Sequence, residues 1–314
     1  MAKCPVATCF APDTLCGLGN LDYRKCPRWA GDGDGSPTVS GADEQILLPW
    51  TGTALGLTDL SFISGREKPL TVAIAGPESA GKTTLLASWY LLMGRGRLLD
   101  DQTNFNGSFS LAGWEAIAGS LRWEPGQPPT FPPHTTSRDA RAPGLLHVAI
   151  RKRNGRSRDL VFADAPGAWF QKWSVNADAT DAEGARWLAR HADIFLIVAD
   201  RQALAGPKLG QARNGFQLLA KRIAAERRGR PLALVWTKGD VAIGSAVEAV
   251  IRAAVMDEMQ DAAEFTISIF GKEEESRISF VSLFEWIIRT RRPGAVFTRD
   301  IGAKTDPLFL FGRR

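Results

Sequence analysis

The feature that most constrains the fold is a glycine loop between a strand-like run and a helix-like run. Residues 76–83, Gly-Pro-Glu-Ser-Ala-Gly-Lys-Thr, match the pattern G-x-x-x-x-G-K-[ST]. Residues 70–75 are apolar and typical of a buried parallel strand, and residues 84–93 favour a helix that stops at Gly94. Such a loop directs backbone N–H groups at an anion, and the helix adds its unpaired N-terminal donors. The sequence therefore predicts a phosphate-binding loop in an α/β domain.

Within this loop, Lys82 is expected to reach the β- and γ-phosphates of a nucleotide, and the Thr83 hydroxyl to hold Mg²⁺. Lys82 is thus a candidate catalytic residue as well as a ligand-binding one. The predicted nucleotide-binding residues of the loop are Gly76, Glu78, Ser79, Ala80, Gly81, Lys82, Thr83 and Thr84.

A second motif, D-x-x-G, follows a predicted hairpin. The apolar runs at 145–150 and 159–163 flank Asn154-Gly155, a strong hairpin signal, and the second run ends in Asp164-Ala-Pro-Gly167. An Asp at the carboxyl end of a strand lies on the same sheet edge as the phosphate loop. We therefore expect Asp164 to contribute to the Mg²⁺ site and the Gly167 N–H to meet the γ-phosphate.

A third motif identifies the base. Two apolar runs, at 194–198 and 232–236, precede Thr237-Lys238-Gly239-Asp240, which matches [NT]-K-x-D. The Asp240 carboxylate is suited to accept hydrogen bonds from the ring N–H and the amino group of guanine, and Thr237 and Lys238 complete the site. Adenine presents the wrong donors, so the motif favours GTP over ATP. The loop that completes the base site is weaker in the sequence; we place it at Ser282, after a run at 277–282.

Length and charge exclude several classes of protein. A chain of 314 residues that is 44% hydrophobic can form one large α/β domain with small appendages. The net charge of +5 comes largely from arginine clusters at 151–158 and 227–230, which we interpret as solvated surface because no nucleic-acid motif accompanies them. The sequence has no secretory signal and no apolar run long enough to span a membrane, so we expect a cytoplasmic protein.

All four cysteines fall within the first 26 residues, which without an export signal argues against disulfides. Four thiolates complete the tetrahedral shell of a structural Zn²⁺, but the spacing is not the paired C-x₂-C of zinc ribbons. Free or redox-active thiols, an iron–sulfur cluster and disulfides are the alternatives. The predicted zinc ligands are Cys4, Cys9, Cys16 and Cys26.

The domain organisation follows from composition. Residues 28–44 are rich in Gly, Asp, Ser and Pro and have little apolar surface to pack, which is typical of a flexible linker. A helix is predicted at 111–122 from its apolar spacing, and further helices are predicted within 247–265 and at 284–290. The predicted parts are a Cys-rich knuckle at 1–27, the linker at 28–44, a nucleotide-binding domain at 45–292 with an insertion at about 95–143, and a tail at 293–314.

With these three motifs in order, the chain resembles the Ras-like and dynamin-like P-loop GTPases. More narrowly, it resembles the bacterial double-GTPase family, through its cysteine-rich start, Leu-Pro-Trp at 48–50, Gly-Trp-Glu at 113–115 and the run at 164–170. The resemblance implies a three-layer sandwich whose mostly parallel sheet has one antiparallel hairpin strand. It also implies GTP or GDP with Mg²⁺ as ligands, a second GTPase or effector as partner, and a role in bacterial conflict or defence.

The resemblance further implies a switch threonine between the first helix and the hairpin, whose hydroxyl would bind Mg²⁺ while its backbone meets the γ-phosphate. Thr136 or Thr135 occupies that place, and Thr130 is the alternative. Arg138 is a candidate catalytic arginine. Loss of order in this loop after hydrolysis would be the switch.

The chain departs from the Ras-like pattern where the attacking water is held, because Ala168 follows Gly167 where those proteins have Gln. Hydrolysis would then need Gln171, a backbone-held water, a monovalent cation near Ser79, or an arginine from Arg138, Arg141 or a partner. We therefore predict slow GTP hydrolysis that a partner or self-association accelerates. The alternatives are a nucleotide-dependent assembly module without useful hydrolysis, and a P-loop ATPase or kinase.

Overall fold

The computed structural model describes residues 54–57, 59–65, 67–122, 126, 130–131 and 143–292. The chain divides into two compact units, Met1–Leu47 and Leu48–Arg314, and every described residue belongs to the second. The predicted zinc ligands, the linker, the tail, Thr135, Thr136, Arg138 and Arg141 lie outside the described residues.

A seven-stranded sheet forms the centre of the second unit, in the order β2-β3-β4-β1-β5-β6-β7. β1, β4, β5, β6 and β7 pair in parallel, while β3 is antiparallel to both β2 and β4. The prediction of one antiparallel hairpin strand is therefore confirmed. The strands are β1 Leu70–Ala75, β2 Thr103–Gly107, β3 Gly144–Lys152, β4 Ser157–Asp164, β5 Ile194–Asp200, β6 Leu232–Thr237 and β7 Ala263–Thr266.

Helices cover both faces of this sheet. One apolar core joins the sheet to α2, α3 and α9, and a second core joins its other face to α4, α5, α6, α7 and α8. Alternate residues of β1 supply the two cores, with Val72 and Ile74 in the first and Ala73 and Ala75 in the second. The predicted three-layer sandwich is confirmed. The helices are α1 Leu60–Ile63, α2 Lys82–Gly94, α3 Leu111–Gly119, α4 Gly167–Val175, α5 Glu183–His191, α6 Arg201–Ala205, α7 Leu209–Glu226, α8 Ser245–Met256 and α9 Glu273–Arg289.

The hairpin between β3 and β4 forms as the Asn-Gly signal predicts. Gly155 has φ +83°, a left-handed conformation that favours glycine, and its N–H donates to the Lys152 carbonyl at 2.9 Å. The turn brings Asp164 to the carboxyl end of β4, beside β1. The D-x-x-G motif and the phosphate loop therefore share one sheet edge.

Near the C-terminus, one element prediction is confirmed and one is wrong. The helix expected within 247–265 is α8, which ends at Met256, and a short, half-buried edge strand, β7, follows that was not predicted. The strand-like run at 277–282 lies inside α9, because its Phe280 recurs at helical spacing with the following Leu283 and Phe284 and packs with them into a core. Ser282 is accordingly a helical residue and does not end a strand.

Candidate functional site

A cavity of about 540 Å³ opens at the carboxyl edge of the sheet, where the three sequence motifs meet. One side is formed by the phosphate-loop residues 78–85 together with Gly167. The other side is formed by Thr237, Lys238, Asp240 and residues 267–270. The fold thus brings the phosphate loop and the base motif to opposite ends of one cavity.

Backbone geometry explains the two glycines of the phosphate loop. Gly81 has φ +81° and directly precedes the first residue of α2, a conformation that is strained for other residues. A Cβ on Gly76 would lie 2.9 Å from the Cβ of Val198 in β5, too close for any side chain. Ser79 also has positive φ, at +58°. The loop is therefore folded tightly at the start of α2, with the helix N-terminus facing the cavity.

Lys82 is buried at the start of α2 and turns back over its own loop. Its ammonium donates to the carbonyl oxygens of Gly76 at 3.1 Å and Pro77 at 2.7 Å. Burial lowers the pKa of Lys82 to about 8, and the charges of Asp164 and Glu78 offset part of that shift. A nearby phosphate would compensate the desolvated charge, so the lysine is poised for an anion.

Thr83 and Asp164 meet at the phosphate end, as the sequence predicts. The Thr83 hydroxyl donates to Asp164 Oδ1 at 3.1 Å, although the two residues are 81 positions apart. A hydroxyl and a carboxylate are hard oxygen donors of the kind Mg²⁺ prefers, with phosphate oxygens and waters completing its shell. The pair fits a nucleotide-bound Mg²⁺. Within the described ranges, no three His, Cys, Asp or Glu side chains come together as a metal-binding group.

Gly167 packs directly against the phosphate loop. A Cβ added there would lie 2.2 Å from the Glu78 nitrogen, so only glycine allows this approach. Gly167 is buried and begins α4, which gives the motif a helix N-terminus beside the loop. Ala168 follows with no polar side chain, and Gln171 is exposed and does not line the cavity.

The base end of the cavity is organised by contacts that the motif alone does not reveal. Lys238, with φ +55°, donates from its ammonium to Asp200 Oδ2 at 2.8 Å. Asp240 accepts a hydrogen bond from the Ser268 hydroxyl. The Gly239 N–H donates to the Ile267 carbonyl at 3.0 Å, and a Cβ on Gly239 would clash with Thr266. The motif is thereby fixed against the loop that follows β7.

Sequence reasoning missed several residues of this site. Asp200 ends an apolar strand, as Asp164 does, and that signal was present in the sequence. Ser268 was not predicted because it follows β7, a short strand that was not distinguished from the preceding helix. Phe131 and Phe270 line the cavity with their ring centroids 6.1 Å apart, and no local pattern links positions so distant in the chain.

The predicted role of Ser282 in the base site is wrong. Ser282 lies in α9 and lines a separate groove with Phe265 and Trp286. The loop that follows the last strand is instead residues 267–270. Among the candidate switch threonines, Thr130 is described: it is exposed, and its hydroxyl donates to the Ser120 carbonyl.

The phosphate loop, the Thr83–Asp164 pair and the sheet topology together define a P-loop nucleotide-binding protein. The chain belongs to the Double-GTPase 2 family, whose model matches residues 70–287, and the resemblance to double GTPases is confirmed. It is thus a GTP-binding protein of the P-loop class.

Solved structures of two GTP-related proteins are similar at low identity. A Methanosarcina barkeri Roco2 RocCORdC structure bound to GDP is 14% identical, with a TM-score of 0.39, over 71% of this chain and 50% of that one. The putative nucleolar GTP-binding protein 1 of Plasmodium falciparum is 11% identical, with a TM-score of 0.38, over 69% of this chain and 89% of that one. No curated protein gives a significant match. In the described part of the chain, none of the helices combines the length and hydropathy of a membrane span.

Proposed function

We propose that this protein is a GTP-dependent molecular switch that hydrolyses GTP slowly. One observation carries the proposal: a single cavity is lined at one end by the phosphate loop, whose Thr83 donates to Asp164, and at the other end by Asp240, which accepts from Ser268. A nucleotide that spans the cavity would place its phosphates and its base against matching groups.

Asp240 supports guanine as the base. Its carboxylate is an acceptor, and the Ser268 hydroxyl occupies one of its oxygens while the side chain stays at the cavity wall. Guanine offers two adjacent donors to a carboxylate, and adenine offers none in that arrangement. Asp240 is exposed in the ligand-free cavity, and a base that covers it without donating a hydrogen bond removes its water without compensation, so ATP is disfavoured.

The phosphate end supports Mg²⁺-assisted hydrolysis. Bound Mg²⁺ would supply positive charge that neutralises the charge developing on the phosphates during hydrolysis. Thr83 and Asp164 are the residues that would hold the ion. Lys82 would release the carbonyls of its own loop and bind phosphate oxygens, while the Gly167 N–H would meet the γ-phosphate.

Slow turnover follows from what surrounds Gly167. Ala168 cannot hold a water, and Gln171 points to solvent outside the cavity lining. Thr136 and Arg138 are retained as the proposed switch threonine and arginine, with Thr135 and Thr130 as alternatives for the threonine. We further propose that a second GTPase, an effector or self-association accelerates the reaction in a bacterial defence context, and that a cysteine-bound Zn²⁺ is structural.

The absence of a water-holding side chain at 168 also favours a second candidate, a GTP-dependent assembly module without useful hydrolysis. Both candidates require GTP binding, so Lys82→Ala does not separate them. They differ in whether bound GTP is ever converted to GDP.

Single-turnover GTP hydrolysis by the full chain with Mg²⁺ separates the two. We expect slow conversion that Asp164→Asn reduces at least tenfold, while Asp257→Asn, an exposed carboxylate after α8, leaves it unchanged. Stable retention of intact GTP, both alone and with a second GTPase added as candidate partner, would support the assembly module. Failure to bind GTP at all would refute both.

A further inference from the structure

The cavity contains a carboxylate at its phosphate end that the function described so far does not use. Two acidic residues line the cavity among the described residues, Glu78 and Asp240. Asp240 is at the base end. Glu78 lies within the phosphate loop, where the charge of an acidic side chain repels a triphosphate and weakens its binding. That cost raises the question of what the side chain does there.

Backbone packing fixes where Glu78 lies. A Cβ on Gly167 would be 2.2 Å from the Glu78 nitrogen and 2.7 Å from its Cα, so the two backbones are in direct contact. Gly167 is the residue expected to meet the γ-phosphate. The backbone of Glu78 therefore lies beside the position expected for the γ-phosphate and the water that attacks it.

The side chain of Glu78 is free to act there. It is exposed on the cavity side and forms no hydrogen bond or ion pair with another described residue. In the described chain, Glu78 interacts electrostatically with Lys82: burial lowers the pKa of Lys82, and the charges of Asp164 and Glu78 oppose that shift. Lys82 and Asp164 already have partners and proposed roles, in phosphate and Mg²⁺ binding.

Apart from Asp164, which is assigned to Mg²⁺, the other side chains described at the phosphate end are not suited to accept a proton from water at neutral pH. Ser79, Thr83 and Thr84 carry hydroxyls, and Lys82 is a cation. Ala168 has no polar group, and Gln171 lies outside the cavity lining. Among the described residues at this end, Glu78 is the one suited to be a general base.

We propose that Glu78 is a catalytic residue that orients the attacking water and accepts its proton. The proposal rests on GTP hydrolysis as the function of this site. The water oxygen forms a bond to the γ-phosphorus as the bond from that phosphorus to the β–γ bridging oxygen breaks. The electron pair of the broken bond leaves on GDP, the water proton passes to the Glu78 carboxylate, and it is then released to solvent.

This role agrees with slow turnover by the isolated chain. An exposed glutamate must give up rotamer freedom each time it aligns a water, which lowers the rate. A partner that covers the cavity would restrict the side chain and exclude bulk water. Glu78 then becomes the residue through which association raises the rate.

The test compares Glu78→Gln and Glu78→Ala with a matched exposed control, Glu258→Gln, which lies beyond α8. Affinity for a fluorescent GTP analogue and single-turnover phosphate release are measured on the full chain with Mg²⁺. We expect both Glu78 variants to bind GTP within about threefold of wild type, because loss of a negative charge does not weaken phosphate binding. Their hydrolysis rates should fall about 100-fold, the range of general-base removal, while the control is unchanged.

Added formate distinguishes catalysis from a structural role. In Glu78→Ala, formate fits the vacated space as a substitute base and should restore at least part of the rate, whereas Glu78→Gln leaves no room and should not respond. Rates within threefold of wild type in both variants, a parallel loss of affinity, or no formate response in Glu78→Ala would overturn the proposal. So would a wild type that binds GTP without hydrolysing it, whereas a wild type that fails to bind GTP refutes the proposed function itself.

Discussion

Two buried ionisable side chains, Lys82 and Asp193, lie at opposite ends of the central strands and have different hydrogen-bond partners. At the carboxyl edge, Lys82 has two backbone carbonyls as partners, and its pKa is lowered to about 8. At the amino edge, Asp193 accepts from the Thr71 N–H at 2.9 Å, from two nitrogens of Arg292 at 2.6 and 3.0 Å, and from Lys68 at 3.5 Å.

The pKa values of Lys82 and Asp193 are both lowered, but the lowering disfavours the charged form of the lysine and favours the charged form of the aspartate. Burial alone would raise the pKa of Asp193, but the hydrogen bonds from Arg292 and Thr71 and the nearby cations lower it, so its charged form is stabilised. Burial dominates at Lys82 and disfavours its charged form. At the amino edge, the charge of Asp193 is compensated by other residues of the protein. At the carboxyl edge, the charge of Lys82 would be compensated by the phosphates of a bound nucleotide.

The largest effect is expected from a substitution at the carboxyl edge. Lys82→Ala should reduce GTP affinity about 1000-fold, roughly 4 kcal/mol, because the cation that binds the β- and γ-phosphates is lost. The ligand-free protein should unfold at an equal or higher temperature, since a desolvated charge has been removed. Isothermal titration and thermal unfolding measure the two quantities.

Lys208→Ala, at an exposed lysine before α7, is the matched control and should change neither. A Lys82 variant that keeps GTP affinity but loses several kcal/mol of stability would assign the lysine a structural role.

The corresponding substitution at the amino edge should affect stability and leave GTP binding unchanged. Asp193→Ala should lower the free energy of unfolding by about 3 kcal/mol, because it leaves Arg292 and the Thr71 N–H without their shared acceptor. GTP affinity of the folded protein should stay within about twofold. Urea unfolding of the ligand-free chain measures the first and GTP titration the second, with Asp257→Ala as the control. A loss of affinity without a loss of stability would contradict the division between the two edges.

A smaller effect is expected at Asp200, a carboxylate at the carboxyl edge that forms an ion pair with Lys238 on the base side. Its Oδ1 caps α6 through the N–H groups of Gln202 and Ala203, and its Oδ2 holds Lys238. Asp200→Asn keeps the cap but removes the charge, so GTP affinity should fall about tenfold with less than about 1 kcal/mol lost in stability. An equal loss of stability in Asp200→Asn and Asp200→Ala would show that the capping role was misjudged.

The smallest expected effect is at Ser268. Its hydroxyl orients Asp240 and also contacts the backbone of Phe270. Ser268→Ala should weaken GTP about fivefold, close to the 1 kcal/mol of one hydrogen bond, and leave ATP binding unchanged. Competition titration with the two nucleotides measures the difference, and equal weakening of both would mean that Ser268 supports the cavity without acting on base choice.

The core of the fold was predictable because its strands are local apolar runs. β1, β5 and β6 each show an uninterrupted buried sequence, and glycine or aspartate marks the point where the chain turns at the sheet edge. The Thr83–Asp164 contact followed from topology, since parallel strands bring their carboxyl ends together.

The edges of the sheet were not predictable from local pattern. β2 is a polar segment, Thr-Asn-Phe-Asn-Gly, whose strand conformation depends on pairing with β3, about 45 residues later in the chain. β7 has four residues and only alternate burial, so its signal merged with the preceding helix. Contacts such as Lys238 to Asp200 depend on how neighbouring strands align, which a sequence pattern does not encode.

We propose that one cavity binds the guanine base at one end and the phosphates at the other. Competition of GDP, GTP and ATP for a fluorescent guanine nucleotide bound to the full chain is the direct test of this arrangement. We predict that GTP and GDP displace the probe at similar concentrations and that ATP requires at least about 100-fold more. Displacement by ATP as effective as that by GTP would contradict the role of Asp240 and the function built on it.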